Sequence, residues 1–330
     1  MIKLAWRQFR SQAFVALGVL VLVAVIAVAT RPHLVQLLSE ASTTGPLLEG
    51  PLRVLRGAFI VVVLVAPVLV GAFWGAPLIA RELETGTFRL AWTQSVTRGR
   101  WLAMKLLVVG VASVVVTGLL SLIVTWWSNP LYTIGFSGPT TPNRFDVLVF
   151  GAGALVPLAY GAFGFMVGVT SGLLFRRTLP AMGVTFAVFA AIRIAVTYWV
   201  RPYFMTPTKT TLSLTSDLVE LGLMRSSATG DVHLDPFAHI PNAWVYSVDI
   251  VDQAGNPAIP EALWNVVQDG GPAGNPEAAA ARLAEVYHAV VTSQPASRFW
   301  AFQGIGTAVF IALALLIAGL CFWWVRRHIA

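Results

Sequence analysis

Residues 57–80, GAFIVVVLVAPVLVGAFWGAPLIA, run without a charge into residues 81–94, RELETGTFRLAWTQ. At about 1.5 Å of rise per residue, the first stretch is long enough as a helix to cross about 30 Å of hydrocarbon. The second is charged and helix-prone. A further apolar run, 106–127, begins after Arg98, Arg100 and Lys105. A charged segment held between two spans marks a place where a partner at the membrane surface can grip the chain.

Composition points the same way. The 330 residues are 57% hydrophobic and 11% charged, against about 45–50% and about 25% in soluble domains. Apolar runs of spanning length recur at 12–30, 57–80, 106–127, 147–174, 179–200 and 300–325. The first has a basic start and Ala27-Val28-Ala29 near its end, as a signal peptide would. It is longer than a signal core and five more runs follow, so it reads as a retained anchor. The expected fold class is an all-α integral membrane protein: six transmembrane helices with a mixed extracytoplasmic segment between spans 5 and 6.

Charge sets the expected orientation. With the N-terminus inside, the inner pieces hold Lys3, Arg7, Arg10, Arg81, Arg89, Arg98, Arg100, Lys105, Arg176, Arg177, Arg326 and Arg327, and only two acids, Glu82 and Glu84. Short inner loops gather Lys and Arg, which places both termini in the cytoplasm. The net charge of +7 then reflects the bilayer, with no nucleic-acid partner implied. Cys321, the single cysteine, lies in an apolar run, so no disulfide forms within the chain. No G-x-x-x-x-G-K-[ST] phosphate loop occurs, so ATP binding by that device is excluded.

The chain divides into 1–11, 12–200, 201–299 and 300–330. Met1 to Arg10 mixes Ile2, Leu4, Trp6 and Phe9 with Lys3, Arg7 and Arg10. It reads as an amphipathic helix along the inner interface, or as a plain basic flank that fixes orientation. Residues 12–200 hold spans 1–5 with the inner loop 81–105, and 300–330 hold span 6 and a tail. Region 201–299 is the one long polar stretch. Trp244 to Ile250 has strand composition and Asp252 to Pro257 is turn-rich. Asn275-Pro276-Glu277 opens a helix expected to run to about Val291.

Several residues stand out as candidates. Thr85-Gly86-Thr87 breaks the helix leaving span 2, because glycine costs about 1 kcal/mol in a helix interior. Thr87 can cap a short helix from Phe88 to Gln94, with Phe88 and Trp92 on one face. That face either fits a groove in another protein or sinks into the headgroup layer. Gly164, Gly168 and Gly172 form a smooth stripe on span 4, and Gly71 and Gly75 one on span 2. Such stripes let helices pack closely, or slide. Pro67 is expected to kink span 2. Arg193 lies inside span 5, either snorkelling or paired internally, or facing a transport path. Asp231, His233, Asp235 and His239 match no strong metal spacing and read as an ordinary polar loop, with no metal site expected. His288 reads as a surface residue.

The stretch 73–101, FWGAPLIARELETGTFRLAWTQSVTRGRW, resembles the first cytoplasmic loop of the ABC type-2 exporter permeases and is most similar to their actinobacterial branch. WRQFR at 6–10, RRTLPAM at 176–182 and SRFWAFQ at 297–303 extend the resemblance over most of the chain. It implies the transmembrane permease subunit of an ATP-driven exporter in a bacterial plasma membrane. The subunit would pair with a second copy or a related permease and with two P-loop ATPase subunits. ATP and Mg would sit on those partners, and this chain would bind no cofactor and be no enzyme by itself. The resemblance assigns ATPase coupling to Arg81, Glu82, Glu84, Thr85, Gly86, Thr87, Arg89, Trp92 and Gln94. By analogy with relatives whose aromatic faces line a central cavity, the substrate-path candidates are Phe59, Phe73, Phe186, Phe189 and Tyr198, with Arg193. An aromatic path suits a hydrophobic or amphipathic substrate. The outer segment is longer than in much of the wider family. Two other readings remain open: a membrane-anchored enzyme or sensor acting through 201–299, and a tether that regulates an ATPase without transport.

Overall fold

A computed structural model describes residues 2–40, 50–85, 98–133, 143–214, 219–225, 229–238, 240–268 and 276–328. Six of its helices are long and apolar enough to cross a membrane. Span 1 is α1 (Ile2–Glu40). Span 2 joins α2 (Pro51–Val70), a π-helical turn at Gly71–Gly75 and α3 (Ala76–Thr85). Span 3 is α4 (Arg98–Ser128), followed by the short α5 (Pro130–Thr133). After α6 (Val147–Ala152) comes span 4, α7 (Val156–Phe175). Span 5 is α8 (Thr178–Ala195), widening through a π turn and then tightening to a 3-10 turn at Arg201–Tyr203.

The polar region contains β1 (Thr208–Ser213), β2 (Val219–Glu220), β3 (Leu223–Arg225), β4 (Val232–Leu234), β5 (Phe237–Ala238) and β6 (Trp244–Asp252). It continues with α9 (Pro260–Gln268), α10 (Pro276–Val286) and β7 (Tyr287–Gln294). Span 6 is α11 (Phe299–His328).

Residues 2–11 run on into the first span, because nothing between Ile2 and Glu40 interrupts the helix before Pro32, which it absorbs. Two expectations change. The run 147–174 is two helices, since Gly153 is extended and Ala154 takes φ 53°. The helix opening at Pro276 stops at Val286. The following β-branched residues pair instead, with Val291 opposite Val248 on one side and Thr210 on the other.

Because each helix crosses once, the chain alternates between two ends of the bundle. One end carries Ile2, Thr85, Arg98, Phe175, Thr178 and His328. The other carries the polar unit, whose sheet has the antiparallel order β1-β7-β6. Beneath that sheet Leu214, Ile250, Leu263, Leu283, Ala289 and Val291 form a small core. Side chains bridge the unit to the bundle: Asn242 Nδ2 donates to Tyr132 O at 2.9 Å, and Asn143 Nδ2 donates to Ala243 O.

Span 4 is the axis of the subunit, packed against spans 2, 3, 5 and 6. In its most apolar window 72% of residues are buried within the chain, against 17% for span 1. Span 1 leans mainly on span 3, where Trp127 Nε1 donates to Thr30 Oγ1 at 2.9 Å.

Candidate functional site

The sequence 147–157, VLVFGAGALVP, cannot stay helical throughout. Gly153 lowers the barrier to leaving the helix and Pro157 disfavours helical conformation in the residue before it. A break at membrane depth frees backbone groups that lipid cannot satisfy, so it survives only inside protein. Here three side chains from neighbouring spans answer them. Gln303 of α11 accepts from Leu155 N at 3.2 Å and from Val156 N at 3.1 Å, and its Nε2 donates to Phe150 O at 3.1 Å. Ser121 Oγ donates to Ala154 O at 2.9 Å, and Thr125 Oγ1 accepts from Ala154 N at 2.9 Å. Gln303 and Ser121 are fully buried.

Two arginines flank this joint. Arg193 Nη1 donates to Leu64 O at 3.2 Å, and its guanidinium lies 5.0 Å from the Tyr160 ring. The carbonyl it meets is on the turn where Pro67 removes a helical donor. Thus Arg193 has an internal partner on span 2. Arg201 is buried, gives Nη2 to Phe145 O and packs against the Phe150 and Trp244 rings. Around it Phe145, Phe150, Phe299 and Phe302 form edge-to-face and stacked pairs. The cluster holds no nucleophile paired with a base. It is a joint between a broken helix, span 6 and the polar unit.

The five glycines meet face to face. A Cβ at Gly164 would come 2.5 Å from Pro67 O, one at Gly172 2.5 Å from Ala76 O, and one at Gly75 2.5 Å from Phe165 O. Gly71 and Gly168 touch the opposing backbone still more closely. Spans 2 and 4 are thus in backbone contact from Pro67 to Ala80 on one side and from Gly164 to Gly172 on the other.

At the opposite end, α3 is braced twice. Glu82 forms a salt bridge to Lys105 of α4, whose ammonium also lies 4.6 Å from the Trp101 ring. Glu84 Oε2 accepts from Thr178 Oγ1 at 2.8 Å, where span 5 begins. Thr85 Oγ1 donates back to Arg81 O at 2.9 Å, and Arg81 is exposed. Gly86, Thr87, Arg89, Trp92 and Gln94 lie outside the described residues.

The aromatic path candidates divide between the core and the surface of the single subunit. Phe59 is buried against Trp127, with ring centres 5.1 Å apart, and Phe189 is buried against Tyr160 and Phe163. Phe73, Phe186 and Tyr198 are exposed on the single subunit. In the polar unit Asp231, His233 and Asp235 alternate about β4, all exposed, and His239 lies outside the described residues. Among the described residues no three His, Cys, Asp or Glu side chains gather as a metal site would require. His288 is half-buried on β7.

Sequence reasoning passed over Gln303, Ser121, Thr125 and Arg201. A signal was present: Ser113, Thr117, Ser121 and Thr125 recur every fourth residue on one face of span 3, and Gln303 is an amide side chain inside an otherwise mostly apolar spanning helix.

The family of ABC-2 membrane transporter related proteins matches residues 17–201, which is more than half of the chain and covers spans 1 to 5. The chain belongs to this family. It is a multi-pass transmembrane permease of the ABC-2 type, and such permeases are generally the non-catalytic membrane subunits of ABC transporters, working with an ATPase partner. No curated protein and no solved structure matches it. The match ends at Arg201, where the polar unit begins.

Proposed function

We propose that this chain is the membrane half of an ATP-driven exporter that moves a hydrophobic or amphipathic substrate out across a bacterial plasma membrane. Two permease copies, or this chain and a related permease, pair with two P-loop ATPase subunits that carry ATP and Mg. The ATPases dock at the end holding Thr85, Thr178 and His328, which faces the cytoplasm. The polar unit faces outside.

The observation that carries this reading is the bracing of α3. Glu82 ties it to span 3 and Glu84 ties it to span 5, while it continues unbroken into span 2. Force applied to the segment that follows Thr85 therefore reaches three spans at once. The glycine contacts pass it to span 4, and Gln303 from there to span 6.

Vesicles containing this chain with a P-loop ATPase test the proposal. Uptake of an amphipathic fluorescent dye into inside-out vesicles should require ATP and cease with a hydrolysis-dead ATPase. An ATPase that binds but never drives uptake would support a regulatory tether instead. Orientation is checked in a Cys321→Ser background: Ser227→Cys should react with an impermeant thiol reagent in whole cells, and Thr97→Cys should not.

A further inference from the structure

A cavity opens between spans 2, 3 and 6, beside the broken helix. Phe59, Ile60, Val124 and Val149 supply apolar wall, and Arg56 and Arg144 supply its charge. Among the described residues no acid lines it. Asp146, the nearest acid in sequence to Arg144, is exposed and points no carboxylate into the lining.

Both arginines lack a counter-ion among the described residues. Arg56 Nε is buried with no hydrogen-bond partner. Arg144 reaches only Asn129 Oδ1, at 3.4 Å, and otherwise rests near the Tyr132 and Phe299 rings at 5.0 and 5.8 Å. Burial pushes the Arg144 guanidinium below its usual range, opposed by Tyr132. Two partly desolvated cations without an anion are an expensive arrangement unless an anion arrives.

Depth identifies the anion. Arg56 lies in the second turn of α2, near its start, and the cavity is ringed by Trp127, Tyr132 and Trp300. Aromatic rings with polar edges collect at the headgroup level of a bilayer. Phe59 and Ile60 lie one turn deeper, toward the hydrocarbon. Phosphate fits the guanidinium fork, which can bind it through two parallel hydrogen bonds. We infer that this cavity holds an anionic phospholipid, its phosphate between Arg56 and Arg144 and an acyl chain along Phe59 and Ile60.

Such a lipid would occupy the groove beside the joint at Gln303 and wedge span 2 against span 6. The lipid site does not depend on the transport reading, although its wall includes Phe59, a substrate-path candidate.

The purified full chain, without an ATPase, is mixed with equal phosphatidylglycerol and phosphatidylcholine, and retained lipid is read by native mass spectrometry. Wild type should retain phosphatidylglycerol preferentially. Arg56→Gln with Arg144→Gln should lose that preference by about tenfold or more, as expected for losing charge-assisted hydrogen bonds. Arg56→Lys, which keeps the charge but not the fork, should lose part of it if the double variant does not fold. Arg53→Gln, exposed one turn earlier, should leave it unchanged. Equal retention of the two lipids by wild type, no effect of Arg56 and Arg144 variants, or the same loss with Arg53→Gln would each overturn the site. Displacement of the lipid by an equal concentration of inorganic phosphate would show a site for a free anion and overturn the lipid assignment.

Discussion

The Arg201 guanidinium lies 4.3 Å from the centre of the Trp244 ring. One residue closes span 5 and the other opens β6, so this pair fastens the polar unit to the bundle. The Phe150 ring centre lies 3.9 Å from the same guanidinium. Two of its nitrogens, Nε and Nη1, are buried without hydrogen-bond partners. The ring faces, with the Phe145 carbonyl that accepts from Nη2, are therefore what stabilises the charge, and a desolvated cation–π contact contributes about 2 kcal/mol.

An asymmetry follows for the two partners. Trp244→Leu keeps the cation buried and removes a ring, whereas Arg201→Met removes the cation itself. Replacing a buried charge by an apolar side chain is often neutral, while stranding it costs about 3–5 kcal/mol. Trp244→Leu should lower the melting temperature of the purified protein more than Arg201→Met. It should also speed proteolysis within 202–299. Equal effects, or the reverse order, would mean the rings do not hold the charge.

Gln303 offers a second test. In Gln303→Leu the size is nearly kept, but Leu155 N, Val156 N and Phe150 O lose their partner. Each stranded group costs about 1–3 kcal/mol in a buried site. The variant should melt at a markedly lower temperature or fail to accumulate in membranes. Gln12→Leu is the comparison: it removes a single bond, to Phe73 O at 3.0 Å, from an exposed position, and should have little effect. A Gln303→Leu protein as stable as wild type would show that the break is satisfied in another way.

Helix packing gives the third. Gly168 faces the Gly71 carbonyl and the Ala76 amide, the latter 2.9 Å from where a Cβ would stand. No flexible side chain is there to give way, and lipid offers no hydrophobic compensation when two helices separate. Gly168→Ala should already reduce the yield of folded protein, and Gly168→Leu should abolish it. Gly183→Ala and Gly304→Ala, where nothing lies within 4 Å, should match wild type. Normal yield of Gly168→Leu would require spans 2 and 4 to lie further apart.

Much of this architecture was legible because a bilayer constrains it so strongly. Length and apolar content alone mark six spans, and Gly164, Gly168 and Gly172 at fourfold spacing mark a close face. What escaped depends on pairs distant in sequence. Nothing local to VLVFGAGALVP says that Gln303 will satisfy its break, so hydropathy merges α6 and α7 into one span. Val290, Val291 and Thr292 follow a helix and read as its continuation until β1 and β6 are known to flank them. Phe59 and Phe189 look alike by hydropathy to Phe73 and Phe186. Only packing separates the buried pair from the exposed one.

Coupling is the fourth test, and it contrasts a brace with a contact. Lys105 and Glu82 are both largely buried, so Lys105→Met strands the Glu82 carboxylate. Adding Glu82→Gln removes the stranded charge, and the double variant should recover much of the stability lost by the single one. Neither change touches the part of the coupling segment that follows Thr85. Arg89 and Trp92 belong to that segment. Arg89→Ala and Trp92→Ala should leave the melting temperature near wild type, since neither belongs to an apolar run of spanning length. They should cut ATP-dependent dye uptake and the substrate stimulation of ATP hydrolysis. The ATPase's basal hydrolysis should persist, because its own phosphate loop is untouched. Trp92→Ala should also weaken co-purification of the ATPase, as buried aromatic anchors contribute about 2 kcal/mol or more to an interface. In the Lys105→Met, Glu82→Gln double variant the ATPase should still bind, yet uptake should fall, because α3 has lost its tie to span 3. Wild-type uptake in the Arg89→Ala, Trp92→Ala protein would remove this segment from the mechanism. Loss of ATPase binding in the brace variant would place the docking surface on α3 itself.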